Sequence, residues 1–170
     1  CMERAMDTEL NALSVTVGEA LTARGWMLTT AESCTGGWVA EAVTATSGSS
    51  AWFDRGFVTY SNSAKVYMLG VSPATLANEG AVSEATVAEM AQGALEHSAA
   101  QLAIAVSGVA GPGGGSEEKP VGTVWFGLAD KQHIWARQAH FGGSRSEVRA
   151  QAVQFALAFL LEKVQEAAAA

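Results

Sequence analysis

At 170 residues the chain has room for one sizeable hydrophobic core, and it is expected to make a single domain over 1–170 with no space for a second catalytic domain. Hydrophobic residues at 49%, charged residues at 16%, and 18 Gly against 3 Pro exclude disorder, collagen and a disulfide miniprotein. Seventeen acidic against ten basic residues give a net charge of −7, which argues against nucleic acid or an anionic membrane face as partner and leaves open a local basic pocket for one small anion.

The first predicted element is an amphipathic helix from about Glu3 to Arg24, with Leu10, Leu13, Val17, Ala20 and Leu21 at helical spacing and Gly25 as its stop. Met27–Glu32 reads as a short strand, followed by the turn Ser33-Cys34-Thr35-Gly36-Gly37 and a helix from Trp38 to Val43. This turn lies at a strand-to-helix junction, where unpaired N–H groups can meet an anion or a developing negative charge. After the small-residue loop Thr46–Ser50, Phe53–Ser61 reads as a second strand, and Asn62–Lys65 turns into a short helix. Pro73 opens another helix, and Ser83 caps a longer one over Glu84 to about Ser98. Leu102–Val106 is an apolar strand that delivers the glycine-rich loop Ser107–Gly115. Val121–Leu128 and Ile134–Ala139 form a hairpin around Ala129–Gln132, and Ser144 to about Val164 is a long closing helix, with residues 167–170 as its fraying end. Alternating strands and helices with one hairpin predict an α/β fold, a three-layer α/β/α sandwich with a mixed β-sheet.

No stretch of eighteen apolar residues is present, and the first ten residues carry no basic flank or apolar core of a secretory leader, so a cytoplasmic location is expected. Cys1 and Cys34 have no recurring spacing and three histidines add few ligands; no metal and no cofactor is expected. Four tryptophans, Trp38, Trp52, Trp125 and Trp135, on a weakly charged chain point to a homodimer.

The polar segments Glu32–Gly37, Tyr60–Lys65 and Ser107–Gly115 each follow a predicted strand, and ligands of open α/β sheets bind beyond such strand ends. Ser33 can be a simple helix cap, or a nucleophile if a base lies within hydrogen-bond reach. His97, His133 and His140 fall at a helix end, a turn and a strand exit, where surface or structural roles are expected. Lys65, if buried, is the alternative base, and Tyr60 can relay the proton or orient the leaving group. The run Gly111-Pro112-Gly113-Gly114-Gly115 lacks both the Lys-Ser/Thr end of a Walker loop and the order of a dinucleotide fingerprint; it can supply close backbone approach to a ligand, or be an ordinary loop. Arg145 and Arg149, one turn apart, can share a face toward a phosphate or be solvated. Glu32 can orient Lys65 or a substrate amide, or pair with an arginine.

The segments Ala31–Gly37, Gly56–Asn62 with Lys65, and Ser107–Gly114 together resemble the CinA C-terminal domain family, in the right order and over nearly the whole chain. The resemblance implies hydrolysis of the carboxamide of nicotinamide mononucleotide (NMN) to nicotinate mononucleotide and ammonia. It implies Ser33 as nucleophile, Lys65 as general base and Tyr60 as a third polar member, with backbone donors of the Cys34–Gly37 turn on the oxyanion. Substrate contacts are expected from Glu32, Cys34, Thr35, Gly36, Gly37, Ser49, Ser50, Ser107, Gly108, Gly111, Gly113, Gly114 and Arg145, the last of these for the phosphate. At Ser107 the family often has Thr, which keeps the hydroxyl. A non-catalytic nucleotide-binding or regulatory module and an amidase for another carboxamide are the alternatives.

Overall fold

A computed structural model describes residues 2–169, so Cys1 and Ala170 lie outside the described residues. The elements run α1 (Met2–Arg24), β1 (Leu28–Glu32), α2 (Trp38–Thr44), β2 (Phe53–Val58), α3 (Asn62–Leu69), α4 (Pro73–Glu79), α5 (Glu84–Glu96), β3 (Leu102–Gly108), β4 (Thr123–Ala129), β5 (Ile134–His140) and α6 (Arg145–Ala169). The sheet order is β2-β1-β3-β4-β5. β1 is parallel to both β2 and β3, with Thr30 between Gly56 and Ile104, whereas β3, β4 and β5 are joined antiparallel. The sheet is therefore mixed.

Helices cover both faces. On one, Val17 and Leu21 of α1, Val39 and Val43 of α2, and Val153, Leu157 and Leu160 of α6 enclose Leu28, Ile104, Val106 and Phe126. On the other, Leu69 of α3 and Val87, Met90, Ala91 and Ala94 of α5 pack on Ala31, Ala103, Ala105 and Ala129. Side chains alternate between faces along a strand, so β3 gives its large residues to the first layer and its alanines to the second, where α5 approaches closely. A Cβ on Gly93 of α5 would come 1.9 Å from Leu69 O, and one on Gly127 of β4 2.3 Å from Val87 O. This is the three-layer α/β/α sandwich that the strand and helix order predicts.

Boundaries differ where side chains compete with the ladder. β2 stops at Val58 instead of Ser61, because Ser61 caps α3, its hydroxyl accepting the Ala64 N–H at 3.0 Å. β4 begins at Thr123 instead of Val121, since Gly122 at φ +97° bends the chain before pairing. None of the described helices is long and apolar enough to cross a membrane.

Candidate active site

The chain after β1 crosses to β2 through α2 on one face, and from β2 to β3 through α3–α5 on the other. The connections thus part at β1, and a crevice opens at the carboxyl ends of β1 and β3. Its cavity of about 270 Å³ is lined by Ser33, Cys34, Tyr60, Asn62, Lys65, Ala81, Val82, Ser107, Gly108, Ala110 and Arg145.

Ser33 follows β1 directly, and its N–H still pairs with Val106 O at 2.9 Å. Lys65 sits on α3 one turn before the buried Leu69, a spacing that turns both inward. Lys65 is 1% exposed, and its Nζ lies 3.0 Å from Ser33 Oγ, 2.9 Å from Thr59 O and 3.5 Å from Tyr60 O. Its partners are thus a hydroxyl and two carbonyls rather than a carboxylate. Burial lowers the Lys65 pKa from the ordinary lysine value, with the neighbouring Cys34 pulling weakly the other way. A buried amine whose charged form burial disfavours, in contact with a serine hydroxyl, has the composition of a nucleophile and its base.

The turn that carries Ser33 is held from two sides. Glu32, 1% exposed, accepts the Thr35 hydroxyl at 2.6 Å, Val39 N–H at 2.8 Å and Ala40 N–H at 3.1 Å. Arg149 of α6 donates from Nε to Cys34 O at 3.0 Å and from Nη2 to Thr35 O at 3.2 Å. Gly36 and Gly37 adopt φ +59° and +104°, the left-handed region the turn needs. The Cys34 thiol is free and buried. Burial pushes it up to about 11, against the pull of the Cys34 and Gly108 N–H groups and of Arg149. It is no competing nucleophile at neutral pH.

At the mouth, Arg145 donates from Nη1 to Gly111 O at 2.8 Å and from Nη2 to the Tyr60 hydroxyl at 3.1 Å. Arg145 thus adds a guanidinium to a pocket that also holds Lys65, Asn62, Tyr60 and two serines, and whose walls carry no carboxylate.

The CinA C-terminal domain pattern matches residues 10–164, which takes in every lining residue of this pocket. The chain belongs to the CinA C-terminal domain family. It is 58% identical over 158 residues to the nicotinamide-nucleotide amidohydrolase PncC of Escherichia coli (strain K12), covering 92% of this chain and 96% of that protein. A crystal structure of a CinA superfamily protein from Klebsiella pneumoniae 700603 matches with TM-score 0.89 at 48% identity, over 92% of this chain and 98% of that one. The competence/damage inducible protein CihA of Agrobacterium tumefaciens matches with TM-score 0.88 at 46% identity, over 91% of this chain and 94% of that one.

In this CinA domain Ser33, Cys34, Tyr60, Lys65, Ser107, Gly108 and Arg145, separated in sequence, meet in one cavity. Other expected contacts lie elsewhere. Ser49 and Ser50 form a helical turn just before β2, next to Trp52, whose carbonyl accepts the Leu28 N–H, so they are at the opposite end of the sheet. Glu32 faces α2 instead of Lys65 or a substrate: both its oxygens are taken by the start of that helix. The same bonds consume the helix-start N–H groups that the sequence offers to an anion, and Gly36 N–H is spent on Ser33 O. Thr35, Gly36 and Gly37 shape the turn without lining the cavity. Gly111 acts through its carbonyl on Arg145, while Gly113 and Gly114 are exposed and off the cavity wall. The Tyr60 hydroxyl is on Arg145, and only its backbone carbonyl touches Lys65. Arg149 is beneath the turn rather than beside Arg145 in the pocket. Asn62, Ala81, Val82 and Ala110 are the lining residues not singled out from the sequence; Asn62 is legible as one helical turn before Lys65, whereas the three small apolar loop residues carry no signal. The histidines serve locally, His97 on Gly93 O, His133 on Asp130 and His140 on Val121 O.

Proposed function

We propose that this chain hydrolyses the carboxamide of NMN to nicotinate mononucleotide and ammonia, with Ser33 as nucleophile and Lys65 as base. The observation that carries the reading is the buried Lys65 Nζ at 3.0 Å from Ser33 Oγ. As a neutral amine Lys65 has two N–H groups and one lone pair; Thr59 O and Tyr60 O accept the former, which leaves the latter for the Ser33 proton. Ser33 Oγ then bonds to the amide carbon as its proton passes to Nζ, and the N–H groups of Cys34 and Gly108 at the cavity wall take the oxyanion charge. The C–N bond breaks as Lys65 returns the proton to the leaving nitrogen, and ammonia departs. Water attacks the resulting ester as its proton passes to Lys65, and Lys65 then hands that proton to Ser33 Oγ as the ester C–O bond breaks, which releases the acid and restores the neutral amine. Ser107 and Asn62 line the substrate's path, and Arg145 at the mouth is positioned for the phosphate.

The test is to incubate the purified chain with NMN, nicotinamide, nicotinamide riboside and NAD and to measure ammonia and acid product, with Ser33→Ala and Lys65→Ala as controls. Turnover of NMN is expected to be lost in Ser33→Ala and to fall by about 10²- to 10⁴-fold in Lys65→Ala. A folded protein inert on NMN overturns the activity, turnover of another carboxamide in its place redirects it, and unchanged turnover in Ser33→Ala overturns the mechanism. A homodimer is part of the proposal. Trp52 is buried and Trp38, Trp125 and Trp135 are partly covered, so the apolar surface for it would come from exposed Val58, Tyr67 and Met68, and sedimentation velocity reads the state.

A further inference from the structure

Arg149 is half-buried one helical turn beyond Arg145, and it addresses the opposite side of the active site. Its guanidinium spans two successive carbonyls, Cys34 O and Thr35 O, immediately after the serine. Its carbon also lies 5.5 Å from the ring centre of Trp38, the first residue of α2. We propose that Arg149 is a positioning residue for the Ser33 nucleophile: its fork fixes the two peptide planes after Ser33 and so the aim of Oγ between Lys65 and the amide carbon. The inference rests on the reading of Ser33 as nucleophile.

Three features support it. The peptides of this turn are trans, so holding the Cys34 and Thr35 carbonyls toward α6 forces the following N–H groups to the other side; the turn cannot rotate as a unit while the fork is closed. Arg149 springs from a seated backbone, since its neighbours Val148 and Ala150 are buried and fix the start of α6 in the core. Glu32 ties the Thr35 hydroxyl to the first N–H groups of α2, so that the same turn is held from a second side. A lysine at this position would offer one compact ammonium and could not match two carbonyls with a planar fork.

The test follows the rate at which a small fluorophosphonate labels Ser33, read by intact mass and peptide mapping, in the full-length wild type, Arg149→Lys and Arg149→Gln. In this reaction Oγ bonds to phosphorus, fluoride leaves, and the Ser33 proton goes to Lys65, so the probe reports nucleophile aim without NMN. Labelling per folded molecule is expected to slow by about tenfold or more in Arg149→Gln and by less in Arg149→Lys, as a misplaced reacting group requires. The NMN kcat should fall in the same order, with KM within about threefold of wild type. Folded fractions come from near-ultraviolet circular dichroism. Labelling that falls only in proportion to the folded fraction, or a raised KM with unchanged labelling, overturns the proposal. If Arg149→Gln does not fold, Arg149→Lys decides alone: labelling at the wild-type rate overturns it. A folded wild type that is not labelled at Ser33 overturns the nucleophile reading itself, and the inference with it.

Discussion

Lys65 carries the sharpest consequences at the level of single residues. Its pKa is lowered because burial disfavours the ammonium, and only the neutral amine can accept the Ser33 proton. kcat/KM is therefore expected to rise with pH through a limb whose midpoint lies below the ordinary lysine value of 10.5; a pH–rate profile with no such limb contradicts it. The same shift affects stability. Between the lowered folded value and the unfolded one, the unfolded chain holds a proton that the folded chain has released, so unfolding free energy should increase with pH across that window, as urea melts at stepped pH would show. Lys65→Ala is expected to reduce kcat by about 10²- to 10⁴-fold, the range for a positioned base. Tyr60 behaves differently, because its contact with Lys65 is through the backbone carbonyl and its hydroxyl is on Arg145. Steady-state kinetics of Tyr60→Phe should accordingly show kcat nearly unchanged and KM raised by about two- to tenfold, the worth of one ordinary hydrogen bond.

Among the elements, the strand-to-helix joint from β1 to α2 decides the site. Helix α2 has seven residues and a glycine in place of a side-chain cap before it, so Glu32, from the end of the preceding strand, closes its first turn. Glu32→Gln would turn an amide NH₂ toward donors that need an acceptor, and is expected to destabilise the fold by about 1–3 kcal/mol, readable by chemical denaturation. Since that side chain also accepts the Thr35 hydroxyl, kcat should fall more than KM changes. Helix α3 shows the complementary case. Its Ser61 cap and its inward Lys65 and Leu69 are three signals pointing to one orientation, which is why the sequence turns Lys65 inward without showing what it touches.

Across the whole molecule, the 25 residues of α6 bring the end of the chain back onto the first motif. Arg145 at its start bridges Gly111 O and the Tyr60 hydroxyl, and so ties the β3–β4 loop to the segment after β2 at the cavity mouth. Arg145→Ala is expected to raise KM for NMN by about tenfold or more, as loss of a charged hydrogen bond to phosphate requires, and to leave any turnover of nicotinamide riboside unaffected. Equal losses on both substrates, measured by ammonia release, would place the phosphate elsewhere. Periodicity and punctuation determine from the sequence alone the layers, the mixed sheet and the strand ends and short helix that bear Ser33, Ser107 and Lys65, because those signals are local. What they leave undecided is direction. Ser49 and Ser50 are expected among the substrate contacts until parallel pairing of β1 with β2 sends them to the other end of the sheet. Glu32, Arg145 and Arg149 are three charged residues whose sequence neighbours do not tell which faces substrate. Only packing assigns Glu32 to α2, Arg149 to the carbonyls that follow Ser33 and Arg145 to the cavity, because a charged group goes where the backbone leaves complementary groups unpaired, and that is settled by which elements meet.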